Sequence, residues 1–108
     1  MKRFRVEPTD DALVDLRLAY IWIYDQSPDA ADHWYEGLWT AIGSLGKNPL
    51  RCPLAPENSF FVDEIRQLIY GRYRILYTLM DESVIVIRVL HGAREYVLPD
   101  LDIRDLEM

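Results

Sequence analysis

Between about residue 61 and residue 91 the chain runs through three apolar stretches, at about 61–70, 72–80 and 84–91. Only Gly71 and Asp81-Glu82-Ser83 interrupt them, and both gaps have the length and residue types of hairpin loops. Three strands in an antiparallel meander are therefore expected. Along the middle stretch Tyr73, Ile75, Tyr77 and Leu79 should project to one face, and Arg74, Leu76 and Thr78 to the other. Along the last, Ile85, Ile87, Val89 and His91 alternate with Val84, Val86, Arg88 and Leu90. Neither strand is cleanly polar on one side, so both faces of the sheet need cover. The candidates are a helical layer on one face and, on the other, the proline loop, the C-terminal tail, a twin subunit or a partner's peptide.

The N-terminal half supplies the helical layer. Residues 2–8 alternate, with Phe4 and Val6 apolar, and Pro8 closes a half-buried strand. Thr9 then offers an N-cap oxygen, followed by Asp10 and Asp11 where a helix dipole favours anions. Leu13, Leu16, Tyr20 and Ile23 mark one apolar helix face to about Gln26. Ser27-Pro28 is a serine cap with proline in the first turn, and Ala31, Trp34, Leu38, Ala41 and Leu45 trace a second helix to about Lys47. Residues 48–60 hold three prolines and no period, which predicts a loop. Residues 96–108 suggest a final strand extension and then a short helix or frayed tail. The expected fold is α+β: strand, helix, helix and three strands, with the helix hairpin packed on one face of a small, mostly antiparallel sheet in a single domain over 1–108.

Composition narrows the function classes. No apolar run approaches the roughly 18 residues needed to span a bilayer, and the charged start leads into no signal segment. One cysteine, Cys52, and two scattered histidines suit a reducing cytoplasm and make neither an internal disulfide nor a zinc site. No cofactor is expected. The net charge of −6 divides into −3 over residues 1–59, 0 over 60–98 and −3 over 99–108. A polyanion would therefore have to be met by a local arginine cluster against an unfavourable overall field. Arginine outnumbers lysine ten to two, with five arginines from Arg66 to Arg94, a bias towards planar, bidentate contacts.

The residues able to do chemistry gather near expected strand ends: Arg66, Arg72 and Arg74, then His91, Arg94, Glu95 and Tyr96. A histidine can serve as general acid or base, and arginines can stabilise a phosphorane-like dianion, so such a set could drive a 2′-hydroxyl onto its own phosphate. The same residues also have a plain structural use, with His91 capping a strand, Arg94 paired with a carboxylate and Tyr96 packed.

The segment Glu64–Arg94, EIRQLIYGRYRILYTLMDESVIVIRVLHGAR, resembles the C-terminal half of RelE/ParE-family toxins. These toxins show arginine and leucine near a glycine, YRILY, a charged turn and a valine-rich strand ending in histidine-x-x-arginine. ALVDLRLAYIWI, SPDAADHW and SLGKNPL resemble the family's N-terminal half in the same order. The resemblance implies a growth-inhibiting toxin of a toxin–antitoxin or plasmid-stabilisation system, neutralised by a cognate antitoxin and forming a homodimer or a heterotetramer with it. The acidic charge and incomplete nuclease set favour the ParE-like branch, whose target is DNA gyrase; the alternative is ribosome-bound mRNA, as in the RelE-like nucleases, and a non-toxic binding module of the same fold is the second alternative. For a nuclease, Arg74 and Arg94 match the family's paired arginines, with His91 and Tyr96 as acid–base candidates. The preceding strand reads Glu64-Ile65-Arg66-Gln67, without the lysines common there. For a binder, Glu64, Arg66, Arg72 and Trp39 are the candidate target or antitoxin contacts. Trp22, Tyr24, Tyr35 and Trp39 fall off the main helical stripes and so are candidate interface aromatics. An antitoxin should bring basic side chains to so acidic a protein.

Overall fold

Thr9 is where the chain changes from strand to helix, and its bonds show how the two layers are joined. The computed structural model describes residues 2–92; the expectations for Arg94, Tyr96 and residues 96–108 lie outside them. The first strand, β1 (Arg5–Pro8), runs parallel to the last, β4 (Ser83–His91), with Val6 beside Val84. At its end Thr9 donates its N–H to Val86 O and its hydroxyl to Ile87 O, while the same hydroxyl oxygen caps α1 (Asp10–Gln26) by accepting from Ala12 N. A proline at position 8 is tolerated because β1 is an edge strand.

Ser27 joins the helices in a single residue. Its N–H closes α1 on Ile23 O, and its Oγ accepts from Ala30 N to open α2 (Pro28–Ser44). The second helix stops at Ser44, short of the expected Lys47. There the chain bends so that Gly46 O receives the N–H of Phe4, and Arg3 bridges to Lys47. A Cβ on Gly46 would stand 2.9 Å from the Phe4 carbonyl oxygen.

The meander forms as the sequence predicts, with shorter strands at one end. Strand β2 (Arg66–Tyr70) pairs with β3 (Tyr73–Met80), and β3 with β4, giving the order β1-β4-β3-β2. Gly71 and Asp81 take the left-handed conformation at the first position of each two-residue hairpin loop. Residues 61–65 are not strand, because Asn58 Oδ1 takes the N–H of Ile65, and the chain before β2 is drawn into the loop. That loop is itself ordered by two short 3₁₀ turns, Pro49–Arg51 and Pro56–Phe60. It also pairs with the outer edge of β2, through Ala55 N to Ile65 O and Gln67 N to Pro53 O.

Both faces of the sheet are covered. The helices bring Ala12, Leu16, Leu38, Ile42 and Leu45 against Ile75, Tyr77, Val84, Val86 and Val89. The proline loop brings Ala55 and Phe61, with Ile65, against Leu76, Ile87 and Leu90 on the other face. The loop is thus the second cover, and Tyr77 holds it from the core by donating its hydroxyl to Pro49 O. A register shift between Leu76 and Tyr77 leaves Ile87 extra in β4. This bulge corrects the simple alternation: Val84 and Val86 share the helical face with Val89, and Ile87 turns to the loop. No helix among the described residues is long and apolar enough to cross a membrane.

Replacing Gly46 by alanine forces the β1 backbone away from the helix end. We expect Gly46→Ala to cost about 1–3 kcal/mol in urea unfolding, whereas Gly43→Ala, whose added Cβ meets nothing within 4 Å, should cost nothing measurable.

Candidate functional site

Arg74 lies on β3 in the face covered by the loop and is almost wholly buried, at 5% exposure. Its guanidinium is held in a fork by Glu57, with Nη1 to Oε1 at 3.0 Å and Nη2 to Oε2 at 2.7 Å. Nη1 also reaches Gln67 Oε1 at 2.9 Å, and Nε donates to Gly92 O at 2.7 Å. Glu57, in the second 3₁₀ turn, is itself fully buried. Such a pair survives burial because each charge is met by its partner and by further hydrogen bonds. A hollow of about 310 Å³ opens beside it, bounded by Pro56, Ile69, Arg72 and Gly92.

His91 ends β4 on the opposite face. Its ring meets Tyr73 edge-on, with centroids 5.1 Å apart, and faces a groove between β4 and α1 lined by Asp15, Leu18, Trp22 and Val89. Arg74 and His91 therefore stand on neighbouring strands with the sheet between them, and the structure does not bring them together. Arg66 bonds Cys52 O at 2.6 Å and Glu64 at 3.2 Å, tying the loop to β2, and its Nε finds no acceptor among the described residues. Glu64 and Arg72 are exposed. Among the described residues no group of three or more His, Cys, Asp or Glu is gathered to hold a metal.

Two arginines meet carboxylates that lie far from them in sequence. Arg88 donates from Nε and Nη2 to Asp15 on α1 at 2.7 and 2.9 Å, and Asp15 also accepts Val89 N. That carboxylate thereby caps the edge of β4 beyond the end of β1. A lone arginine inside VIVIRVL is a signal that some carboxylate must meet it, and Glu57, the single acid between Glu36 and Asp63, is a similar signal for Arg74.

The helix hairpin is strongly acidic. From Asp10 to Ser44 there are seven carboxylates and one guanidinium, Arg17, a net of −6; eleven acids and eleven bases elsewhere balance. Between the helices lies a groove of about 560 Å³ lined by Leu13, Leu16, Tyr20, Tyr35 and Trp39, with Arg17, Asp32 and Glu36 at its rim. Tyr24, Tyr20, Tyr35 and Trp39 form a continuous ring-to-ring series at 5.8, 5.4 and 6.1 Å. Tyr20 donates to Asp32 at 2.6 Å, and that bond to a carboxylate pushes its phenol up to about 12. On the other flank of α1, Val14, Leu18, Ile21 and Trp22 form a second exposed apolar stripe, with Leu18 61% and Trp22 59% exposed.

Strand, helix hairpin and meander in this order are the architecture of a toxin–antitoxin toxin fold. The chain superimposes on a chain of the chromosomal ParDE toxin–antitoxin system from P. aeruginosa with a TM-score of 0.69, at 14% identity, covering 83% of this chain and 97% of that one. It is also similar to a chain of the toxin–antitoxin complex RelBE2 from Mycobacterium tuberculosis, with a TM-score of 0.53 and 28% identity, covering 86% of this chain and 95% of that one. Residues 6–96 match the family described as ParE toxin of type II toxin-antitoxin system, parDE, and the chain belongs to that family. No curated protein matches its sequence.

Two substitutions test this geometry. Glu57→Leu should cost about 3–5 kcal/mol, because it strands a buried guanidinium, and Glu57→Leu with Arg74→Met should recover most of that loss in a double-mutant cycle read by urea unfolding. Tyr20 should ionise at about 12 in a phenolate absorbance titration, and Asp32→Asn should return it towards the ordinary tyrosine value of about 10. The folded pKa is raised, so the bond's contribution to stability is full below the unfolded value and is lost as pH rises through the folded one.

Proposed function

We propose that this chain is a growth-inhibiting toxin that acts by binding its target, with DNA gyrase as that target, and that a cognate antitoxin neutralises it. The observation that carries this is the state of Arg74. It is the arginine of the YRILY strand, and a nuclease would need its charge directed at a phosphate. Here that charge is met bidentately by Glu57, under a loop and on the face of the sheet away from His91. An arginine so engaged stabilises no developing dianion. The net charge of −6 also disfavours docking among the phosphates of a ribosomal site.

A binding toxin needs surface, and this one has it on both flanks of α1. Patches of large exposed apolar side chains mark interaction sites. The two similar structures belong to toxin–antitoxin systems, which favours an antitoxin segment as the cover for one or both grooves.

The purified protein should block plasmid supercoiling by gyrase and leave mRNA intact in a translating extract. Codon-phased cuts that disappear in Arg74→Ala would establish the nuclease reading instead. Unhindered growth on induced expression, with neither effect in vitro, would leave only a binding module.

A further inference from the structure

We infer that the groove between α1 and α2 is a cation-accepting aromatic site, and that its occupant is an arginine-bearing, amphipathic segment of the neutralising protein. The inference rests on the proposal that such a partner exists and adds what recognises it. Three features point to this chemistry.

The first is the aromatic series. Tyr20, Tyr35 and Trp39 line one groove, with Tyr20 and Tyr35 meeting edge to face at 5.4 Å, interplanar angle 72°. The face of such a ring is electron-rich and attracts a guanidinium, best of all at tryptophan. Trp39 is partly packed against the core, whereas Tyr35 is exposed, and all three rings border a cavity of about 560 Å³.

The second is the rim. Asp32 and Glu36 are exposed, lie one turn apart on α2 and border the rings. A guanidinium stacked on the aromatics can donate to a carboxylate in its own plane, which a compact ammonium does less well. Asp32 already accepts from Tyr20, so Glu36 is the carboxylate with more capacity left for an incoming donor. The hairpin's one cation, Arg17, stands on the α1 rim, so the incoming charge is favoured on the α2 side.

The third is the field. The hairpin's charge of −6 equals that of the whole chain, and among the described residues Asp15 is the one of its acids in a salt bridge to the sheet. A basic segment is attracted to so acidic a hairpin. Leu13 and Leu16 on the groove wall call for apolar side chains between the arginines, which makes the occupant amphipathic.

The experiment uses the full chain and two synthetic amphipathic helices with leucine on one face and arginine on the other; the twin replaces each arginine by citrulline, equal in shape and uncharged. Binding is followed by the indole N–H resonance of Trp39, assigned with Trp39→Phe. The arginine peptide should bind about tenfold more tightly than its twin, in keeping with a stacked and paired cation, and added salt should erode the difference. Tyr35→Leu and Glu36→Gln, both at exposed positions, should each remove most of the preference, while Trp22→Ala in the other groove should leave it intact. Equal affinity for the twins, a preference that survives both substitutions, loss only with Trp22→Ala, or no binding at all would overturn the inference. Growth arrest on induction tests the toxin proposal separately: arrest without arginine preference removes this site alone, and preference without arrest removes the toxin and with it the neutralising protein as occupant, which overturns the inference as well.

Discussion

A guanidinium in the covered face of a small sheet has to be met by an anion, because leaving it unpaired costs more than a domain of this size can spare. Arg74 creates that requirement and Glu57 answers it from a segment with no regular structure. The pair acts together with the other bonds that hold the loop on that side, from Tyr77 to Pro49 O and from Arg66 to Cys52 O. It draws the second 3₁₀ turn onto β3, which lets Ala55 and Phe61 cover Leu76 and Leu90. It also places Pro53 and Ala55 where they pair with the outer edge of β2, so an edge that would otherwise invite another chain is closed by its own loop. The same bond that stabilises the cover engages the arginine's charge with a carboxylate of the chain itself, which is the link between the architecture and the proposed function.

A second carboxylate does comparable work at the opposite edge. Strand β1 covers β4 only as far as Val86, and the bulge at Ile87 would leave the rest of that edge with open backbone groups. Thr9 and Asp15 take them over, the first with its hydroxyl on Ile87 O, the second by accepting Val89 N while pairing with Arg88. The first helix is therefore fastened to the sheet by polar contacts at its N-terminal half, and its apolar residues need not all face inward. That leaves room for the two exposed grooves on either flank of α1.

Much of the fold was legible in the chain. Periodicity located both helices, the Ser27-Pro28 junction, the proline loop and the two hairpin loops, since each depends on residues within a few positions of one another. The sequence also showed that β3 and β4 were apolar on both sides and needed a second cover. It could not show which segment supplies it, because the loop is held by contacts between residues distant in the chain, such as Glu57 with Arg74 and Pro49 with Tyr77. The bulge escaped for a related reason. Inserting one residue shifts the phase of alternation, and nothing in VIVIRVL marks where the shift falls.

The candidate site divides along the same line. Residue types and local order determined by themselves that the chain would be a strand, a helix hairpin and a meander, rich in arginine near the strand ends and acidic elsewhere. Only the tertiary structure decided that Arg74 and His91 face opposite ways, that Arg66 serves the loop, and that the scattered aromatics of two helices align into one groove. Helix and hairpin formation are settled by short-range periodicity and turn chemistry, which any window of the sequence contains. Which charges meet, and which rings share a cavity, depends on the packing of segments distant in the chain, and that is fixed only when the layers close on one another.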